Sequence, residues 1–423
     1  MKKRFGWLAG VVSASAALAA CATNTAPVKT VELERDPRIT LNLPENQTNL
    51  AEGRIVVSAN RKIERNLSVD AYVRILSDGS CPSGSTLRTP EAIAIKAVPT
   101  ALQPADPAKR RIGALTYVAG YQLTSTDARF GGLSGIEVLD DGNLLAVSDR
   151  GYFVWMDLSD DGLTPTAARV STMRDVDGNA LTGVAGDGAE GVATNGCMAL
   201  VSFEGNHRVL AFDVGRCGAA ARGAPIVFDD FGMPLDEAYE EARIAVDPGN
   251  GSEPLAVTKD WYLFTGIEKK LGHLSPLSAR PIESEPEFDL FVGIDAPEFA
   301  GIDVLPDQQG EGAVRAFLIH RSANSRDGRV WVTETDLQRH EDRTRDYRWA
   351  QGEMGARSRQ RYTETGWREL AQLNQFGVVD QFEGIAARQM SDGRVRLYLI
   401  SDDDYSTDKR TVLMIFDLAK PLR

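Results

Sequence analysis

The protein has 423 residues and a formal net charge of −13, from 60 acidic and 47 basic residues. Hydrophobic residues make up 43% and charged residues 25% of the chain, which excludes a disordered chain and a multi-pass membrane protein. The acidic balance argues against a nucleic-acid partner, because affinity for phosphate backbones comes from clustered Lys and Arg. With only four His, a His-rich zinc or copper site is disfavoured as well.

The N-terminus has the form of an export signal. A basic segment at residues 2–4 precedes a short apolar stretch that ends in Leu18-Ala19-Ala20-Cys21. At about 15 residues this stretch is shorter than the roughly 20 that a membrane-spanning helix needs. Its end resembles the bacterial lipobox, which implies cleavage before Cys21 and lipidation of that residue.

The resemblance to the lipobox also implies a cellular location. Ala22, rather than Asp, at the position after the lipidated cysteine implies an outer-membrane destination. We therefore expect a signal peptide at residues 1–20, a lipid-anchored tether at 21–40 and no membrane contact beyond the anchor. The alternative is a soluble secreted protein in which Cys21 is incidental.

Two of the remaining cysteines flank a candidate hairpin. Cys197 opens one strand-like run and Cys217 closes the next, with the turn sequence Gly205-Asn206-His207 midway between them. An antiparallel hairpin would place the two sulfur atoms opposite each other, in an oxidising compartment. We therefore predict a Cys197–Cys217 disulfide, with two unpaired buried thiols as the alternative. Cys81 then has no assigned role.

A strand-rich extension precedes a repeat. Residues 41–110 contain alternating runs such as Ala71 to Leu76, which we interpret as strands, and a Pro-rich linker at Pro99 to Pro107. From about residue 112, two short apolar strands joined by a turn recur five times. The copies start at Leu133, Glu190, Glu253, Ala300 and Glu383.

The repeat predicts an all-β fold of the β-propeller type over residues 111–423. We expect five or six blades and favour six, with a diverged blade between residues 269 and 300. The run Ile112 to Leu123 is expected to close the last blade beside Thr411 to Leu418, which protects the sheet edges. A β-sandwich of similar strands is the alternative.

Polar residues recur at the start of the first strand or the end of the second strand of each copy. A hairpin brings these two places together, so in a propeller all of them would face one end of the central channel. The pairs are Ser134 with Asp149, Glu190 with Glu204, Glu253 with Glu268, Asp303 with Arg321, and Glu383 with Asp402.

Such a ring of carboxylates is tolerable only if some are protonated, paired or bound to a metal. Oxygen ligands without His favour a hard cation, Ca²⁺ in this compartment. The candidate metal ligands are Asp149, Glu204, Glu253, Glu268, Asp303 and Asp402. Glu190 or Glu383 is the candidate general base, and Arg150 or Arg321 would stabilise negative charge. The alternative is that each acid caps a turn and faces water.

Residues 322–380 interrupt the repeat with many Arg and acidic residues. They form either an Arg-bearing lid over the channel or a solvated helical excursion. Helical spacing at Trp367 to Leu373 favours the excursion.

Several motifs together resemble a known family. They are Leu133-Ser134-Gly135-Ile136, Ser148-Asp149-Arg150-Gly151, Glu190-Gly191-Val192-Ala193, Phe382-Glu383-Gly384-Ile385-Ala386 and Ile400-Ser401-Asp402-Asp403-Asp404. In this order they resemble the phytase-like family, also called the esterase-like activity of phytase family. The resemblance covers roughly residues 112–423 and implies a β-propeller and a phosphoester or ester hydrolase. By matching motifs, it implies that Asp149, Arg150, Glu190, Glu204, Glu383 and Asp402 line the site.

The sequence therefore predicts a monomeric, calcium-assisted hydrolase of a small anionic or ester substrate at an acidic channel mouth. The alternative is a non-catalytic ligand- or protein-binding scaffold with structural calcium, because a propeller can host either function.

Overall fold

The computed structural model describes residues 68–182, 188–204, 207–226, 251–268, 275–284, 288, 290–292, 298–307, 310–322, 329–342, 359–373 and 381–419. These residues form five antiparallel sheets around a central axis, and the innermost strand of each sheet contacts those of its two neighbours. The predicted all-β propeller is confirmed, with five blades in the described part of the chain.

The blades follow one another in chain order, each with its innermost strand first. Blade 1 contains β5 (Leu133–Val138), β6 (Leu144–Ser148), β7 (Tyr152–Leu158) and β8 (Pro165–Thr172), with β1 (Glu91–Ile93) added outside. Blade 2 contains β9 (Ala189–Asn195), β10 (Met198–Phe203), β11 (Arg208–Asp213) and β12 (Ala224–Pro225). Blade 3 contains β13 (Leu255–Val257), β14 (Tyr262–Gly266), β15 (Ser275–Pro281) and β16 (Leu290–Val292).

The last two blades have the longest strands. Blade 4 contains β17 (Glu298–Pro306), β18 (Ala313–Arg321), β19 (Val330–Asp342) and β20 (Arg359–Leu373). Blade 5 contains β21 (Gln381–Gln389), β22 (Val395–Asp402), β23 (Thr411–Leu418), β4 (Leu115–Ser125) and β2 (Ile95–Pro99), and β3 (Arg111–Ile112) also pairs with β4. In the described ranges two helices accompany them, α1 (Val69–Ser80) and α2 (Val214–Cys217).

The ring closes as the sequence predicts. Strand β4 pairs antiparallel with β23, so Leu413 lies opposite Tyr121 and the early strand completes the last blade. The segment considered for a sixth blade instead supplies β15 and β16 to blade 3 and the start of β17 to blade 4.

The core lies between the blades. Every residue of β22 and of β23 is buried, because both faces of these strands pack against neighbouring blades. Continuous apolar runs, rather than alternating ones, are the sequence pattern of such doubly covered strands. Between blades 1 and 2, the rings of Phe153 and Phe212 meet edge to face with centroids 5.1 Å apart.

The predicted Cys197–Cys217 disulfide is wrong, because Cys217 pairs with Cys81. Strands β10 and β11 do form the expected hairpin, with Met198 opposite Asp213. After Asp213 the chain leaves the ladder and turns into α2, where the Asp213 side chain accepts a hydrogen bond from Arg216 N. This turn carries Cys217 away from β10 and towards the end of α1.

A helix stands where the alternating run Ala71 to Leu76 predicted a strand. Ser68 caps α1 by accepting a hydrogen bond from Ala71 N, and the buried residues Tyr72, Leu76 and Ser80 are four apart. This spacing places them on one helical face, which packs against β11 and β12 of blade 2.

Residues 367–373 are also not helical, because they belong to the long strand β20. Its partner β19 pairs with it from Val330 to Asp342, so the interval between the fourth and fifth repeats supplies the outer half of blade 4. The favoured helical excursion is therefore wrong where the structure describes this interval. Glu334 of β19 binds Arg368 of β20, with 2.7 Å between Nε and Oε2.

The signal and lipidation predictions for residues 1–20 and Cys21 lie outside the described residues. Within the described ranges, no helix has the length and apolar character required to cross a bilayer.

Candidate functional site

Four of the five inner strands, all except β13, are irregular near the end where the predicted site residues lie. In β5 the pairing with β6 passes from Leu133 to Gly135 and leaves Ser134 out of register. The same irregularity leaves out Glu383 in β21 and Ala300 in β17. Such bulges redirect a side chain and are common beside functional sites.

A glycine follows the redirected residue in four of the five blades, and it lets neighbouring inner strands approach closely. A Cβ atom at Gly191 would lie 2.2 Å from the carbonyl oxygen of Glu253, and one at Gly135 would lie 2.5 Å from that of Glu190. Gly301 and Gly384 meet the next blade in the same way. The glycines of the repeat therefore make room for the neighbouring backbone at the axis, which draws the side chains beside them together.

These contacts converge on one end of the channel, which we call the mouth. Its members are Glu190, Glu204, Glu253, Glu268, Glu298, Arg321 and Glu383. A rim beside them consists of Asp149, Arg150, Asp402, Asp403, Asp404 and Tyr405.

Arg321 lies at the centre of the mouth and is surrounded by carboxylates. Its Nη2 atom is 2.6 Å from Glu268 Oε1 and 3.6 Å from Glu253 Oε1, and its Nε atom is 2.9 Å from Glu298 Oε2. Its Nη1 atom donates to Glu383 Oε1. Burial alone would lower the pKa of Arg321, but the charges of Glu253 and Glu268 raise it above its ordinary value. The guanidinium of Arg321 is thus engaged by carboxylates of the protein, so Arg321 is a poor candidate for contacting a substrate.

Three of the glutamates form the tightest carboxylate group. One oxygen from each of Glu204, Glu253 and Glu268 lies within 4.8 Å of the others. Burial, followed by the charge of Glu268, raises the pKa of Glu253 well above its usual value and that of Glu204 to about 7. Glu253 is 5% exposed, and its Oε2 atom has no hydrogen-bond partner among the residues that the structure describes.

Glu190 lies beside this group. Burial, with smaller contributions from the charges of Glu204 and Asp149, raises the pKa of Glu190 to about 8. The positive charge of Arg321 and the Ser134 hydroxyl oppose part of this rise in pKa. Glu383 differs, because its Oε1 atom accepts hydrogen bonds from Arg321 and from Gln381 Nε2, the latter at 2.8 Å. At neutral pH a carboxyl group with a pKa of about 8 is mostly protonated, so Glu190 can act as a general base only when a bound cation lowers that pKa. It still suits this role better than Glu383, whose oxygen is engaged by Arg321.

The rim holds a second set of carboxyl groups. Burial raises the pKa of Asp149 to about 6 and that of Asp402 to about 9, and the nearby Asp404 contributes to both shifts. Asp404 N donates to Asp402 Oδ1 over 2.7 Å. Asp402 is therefore protonated at neutral pH in the absence of a cation.

Arg150 is the exposed cation of the rim. Its guanidinium lies 3.6 Å from the centroid of the Tyr405 ring and, among the described residues, forms no ion pair within 4.0 Å. Tyr405 is held in place because its hydroxyl lies 2.7 Å from Ser148 Oγ and its backbone N donates to Asp403 Oδ1. Arg150, unlike Arg321, thus has its donors available.

Asp303 does not reach the mouth. It lies five residues beyond Glu298 along β17, about 16 Å at the usual strand rise. Its two carboxylate oxygens accept hydrogen bonds from Val304 N and Ala387 N, each over 2.6 Å. The predicted pairing of Asp303 with Arg321 is wrong, because Arg321 lies opposite Glu298 at the start of β17 and Asp303 lies opposite Phe317.

Sequence reasoning missed three participants. Glu298 begins β17 and obeys the rule of a polar residue at the start of the first strand, but that strand begins two residues earlier than predicted. Tyr405 follows the acidic run after β22, and no pattern in the sequence marks it as the support of Arg150. Gly251, whose N–H lies 3.4 Å from Glu204 Oε1, is likewise unmarked.

The sequence model of one protein family matches residues 128–405, and that family is described as Phytase-like, esterase-like activity of phytase. The match covers more than half of the chain and every residue of the mouth and rim. The protein belongs to the phytase-like family. Comparison with curated proteins gives no match.

Solved propellers share low identity with this phytase-like chain. The PQQ-bound aldose sugar dehydrogenase of Streptomyces coelicolor is 12% identical, with 78% of this chain and 100% of that chain covered and a TM-score of 0.38. The glutaminyl cyclase of Myxococcus xanthus is 11% identical, with 72% and 97% covered and a TM-score of 0.35. Similarities of this size carry no inference about the phytase-like mouth.

Proposed function

We propose that the protein is a calcium-assisted hydrolase of a phosphoester or ester substrate, held at the outer membrane by a lipid on Cys21. The observation that supports it best is the group formed by Glu204, Glu253 and Glu268, whose carboxylate oxygens lie within 4.8 Å of one another. We expect the reaction to take place at the mouth.

The donor set fits a hard cation. Ca²⁺ takes six to eight oxygen ligands, and three carboxylates can supply up to six of them. A buried polar atom without a hydrogen bond costs about 1–3 kcal/mol, so the unpartnered Glu253 Oε2 gains from a bound cation. When bound, calcium would polarise the phosphoryl or carbonyl oxygen of the substrate and lower the pKa of a nearby water.

The protein's own side chains would supply the general base, the stabilisation of negative charge and the structural support. A bound cation would lower the pKa of Glu190 from about 8, and the resulting carboxylate would accept the proton of the attacking water. Arg150 would stabilise negative charge that develops on the substrate, with its planar donors oriented by the ring of Tyr405. Arg321 and Glu383 would hold blades 4 and 5 together beneath them.

The test is a hydrolysis panel with the purified full chain. Phosphomonoesters, phytate, aryl esters and lactones are assayed with Ca²⁺ and with chelator. We expect calcium-dependent turnover that Glu190→Gln reduces by about 100-fold or more, within the range for a general base. Glu283→Gln is the matched control, because burial also raises the pKa of Glu283 but it lies outside the mouth. Turnover unaffected by Glu190→Gln and Glu253→Gln would refute this site.

One observation also favours the scaffold alternative. Arg321 joins Glu253 and Glu268 of blade 3 to Glu383 of blade 5, which stabilises the ring whether or not a reaction occurs. If no substrate is hydrolysed but chelator lowers the melting temperature, the cation is structural and the protein is a binding scaffold.

A further inference from the structure

One backbone residue, Gly251, connects the three glutamates of the proposed cation site. Its N–H lies 3.4 Å from Glu204 Oε1, and its carbonyl oxygen accepts hydrogen bonds from Glu253 N at 3.1 Å and Glu268 N at 3.0 Å. The carboxylates come from different strand ends in blades 2 and 3. The peptide groups of Gly251 therefore contact all three glutamate residues and help to fix their relative positions.

The ring of His207 covers this residue. His207 is 3% exposed, and a Cβ atom at Gly251 would lie 1.7 Å from its Cε1 atom and 2.0 Å from its Nδ1 atom. The backbone of Gly251 does not have a positive φ in the left-handed region. The requirement for glycine is thus one of space against the imidazole, and not of backbone conformation.

The histidine is also linked to the site along the chain. It lies three residues after Glu204, on the connection from β10 to β11, and β11 begins at the next residue. Packing of His207 on Gly251 therefore presses the Glu204 connection of blade 2 against the segment that carries Glu253 in blade 3. A displaced ring would leave both segments free to separate.

We propose that His207 and Gly251 are a positioning pair that sets the spacing of Glu204, Glu253 and Glu268 and thereby the affinity of the mouth for a divalent cation. This inference rests on the proposed function, because it presumes that the three glutamates bind the ion. Residues that orient ligands in this indirect way commonly change metal affinity by about 10–100-fold when substituted.

The decisive experiment is a double-mutant cycle on cation affinity. Terbium luminescence and calcium calorimetry are measured on the full chain and on Gly251→Ala, His207→Ala and the double variant. Gly251→Ala is expected to weaken binding about 10–100-fold, because the new methyl group displaces the ring. His207→Ala is expected to weaken it by about 10-fold, at the lower end of the same range. The double variant is expected to match His207→Ala, because the clash is removed.

Gly366→Ala is the matched control. Gly366 lies in β20, has no positive φ, and a Cβ atom there would meet only Asp336 Oδ2, at 3.8 Å. We expect it to bind cations like the unmodified protein. If Gly251→Ala does not fold, His207→Ala decides the question alone.

The possible failures are distinguishable. Full affinity in Gly251→Ala or in His207→Ala, or additive losses in the double variant, would overturn the positioning pair while leaving the proposed function intact. If the unmodified protein binds neither terbium nor calcium, the proposed function fails and this inference fails with it.

Discussion

The two ends of the propeller channel both contain buried carboxylates on inner strands, but the hydrogen bonding differs. Away from the mouth, Asp303 accepts two hydrogen bonds from backbone N–H groups, and Glu137 accepts one from Val138 N. Burial, and then the charge of Asp303, raises the pKa of Glu137. At the mouth, the Oε2 atom of Glu253 has no hydrogen-bond partner within the described part of the chain. Satisfied acids bind neighbouring strands together, whereas unsatisfied acids remain available for a cation.

The largest expected effect comes from removing the charge that balances the mouth. Arg321→Gln leaves the buried carboxylates Glu268 and Glu383 without their cation and is expected to lower the free energy of unfolding by about 3–5 kcal/mol. Chemical denaturation in chelator measures it. Arg150→Gln is the control, because Arg150 forms no ion pair among the described residues, and a loss of equal size there would contradict our account.

A direct contrast between the two ends comes next. Asp303→Asn replaces one of two accepting oxygens with an amide that faces a backbone N–H, and should cost about 1–3 kcal/mol of stability. Its terbium affinity should not change. Glu253→Gln should do the opposite, abolishing terbium binding with little effect on stability in chelator, because Glu268 and Glu383 still neutralise Arg321. Denaturation and luminescence titrations of both variants test this contrast. Equal changes in stability and in terbium affinity for the two variants would contradict it.

The pH dependence of stability sharpens the comparison. The pKa values of Glu190 and Glu204 rise from 4.5 to about 8 and about 7 in the folded protein. The unfolded chain therefore loses these protons at lower pH, so their stabilisation is complete below pH 4.5 and is lost as pH rises through 7–8. In chelator, we expect the melting temperature to fall by at least about 3 °C between pH 5 and pH 8.5.

Two controls accompany the pH series. Calcium should restore the melting temperature at pH 8.5, because it replaces the protons, and Glu190→Gln should flatten the curve. Carboxylates with a lowered pKa, such as Asp127 at about 2, titrate below this window and do not contribute. A melting temperature that rises with pH in chelator would show that the mouth acids are not protonated.

The smallest effect is expected at an exposed ion pair near the end of the channel that is opposite the mouth. Lys259 Nζ lies 3.3 Å from Asp140 Oδ1, and both side chains are more than two-thirds exposed. Lys259→Met should change stability by less than about 1 kcal/mol, and the change should shrink further at high salt. A larger loss would indicate that Lys259 stabilises the buried pair Glu137 and Asp303 instead.

The repeat predicted the fold and most of the mouth because strand, turn and polar residue recur in order. Glu190, Glu204, Glu253 and Glu268 lie together as their spacing implies. Asp303 was misplaced because β17 begins at Glu298, before the start assigned to this repeat, so Asp303 lies in the middle of the strand and not at its end. The alternation of apolar and polar residues could not separate helix from strand at Val69–Ser80. The segment is a helix that buries one face against blade 2.

Long-range pairings were the hardest to predict. Cys217 has a near neighbour in sequence at Cys197, yet it bonds to Cys81, 136 residues away. Only the position of α1 on the edge of blade 2 makes that partner available. Likewise, the stacking of Arg150 on Tyr405 joins blade 1 to blade 5, and neither residue signals the other locally.

The pairing of β4 with β23 has a consequence for biogenesis. The last sheet pairs β4 with a strand about 300 residues later in the chain, so it cannot form until β23 has been synthesised. Contacts between such distant segments are slow to form, because a very long loop must close first. Until then the incomplete ring exposes unpaired strand edges, which favour aggregation during that interval.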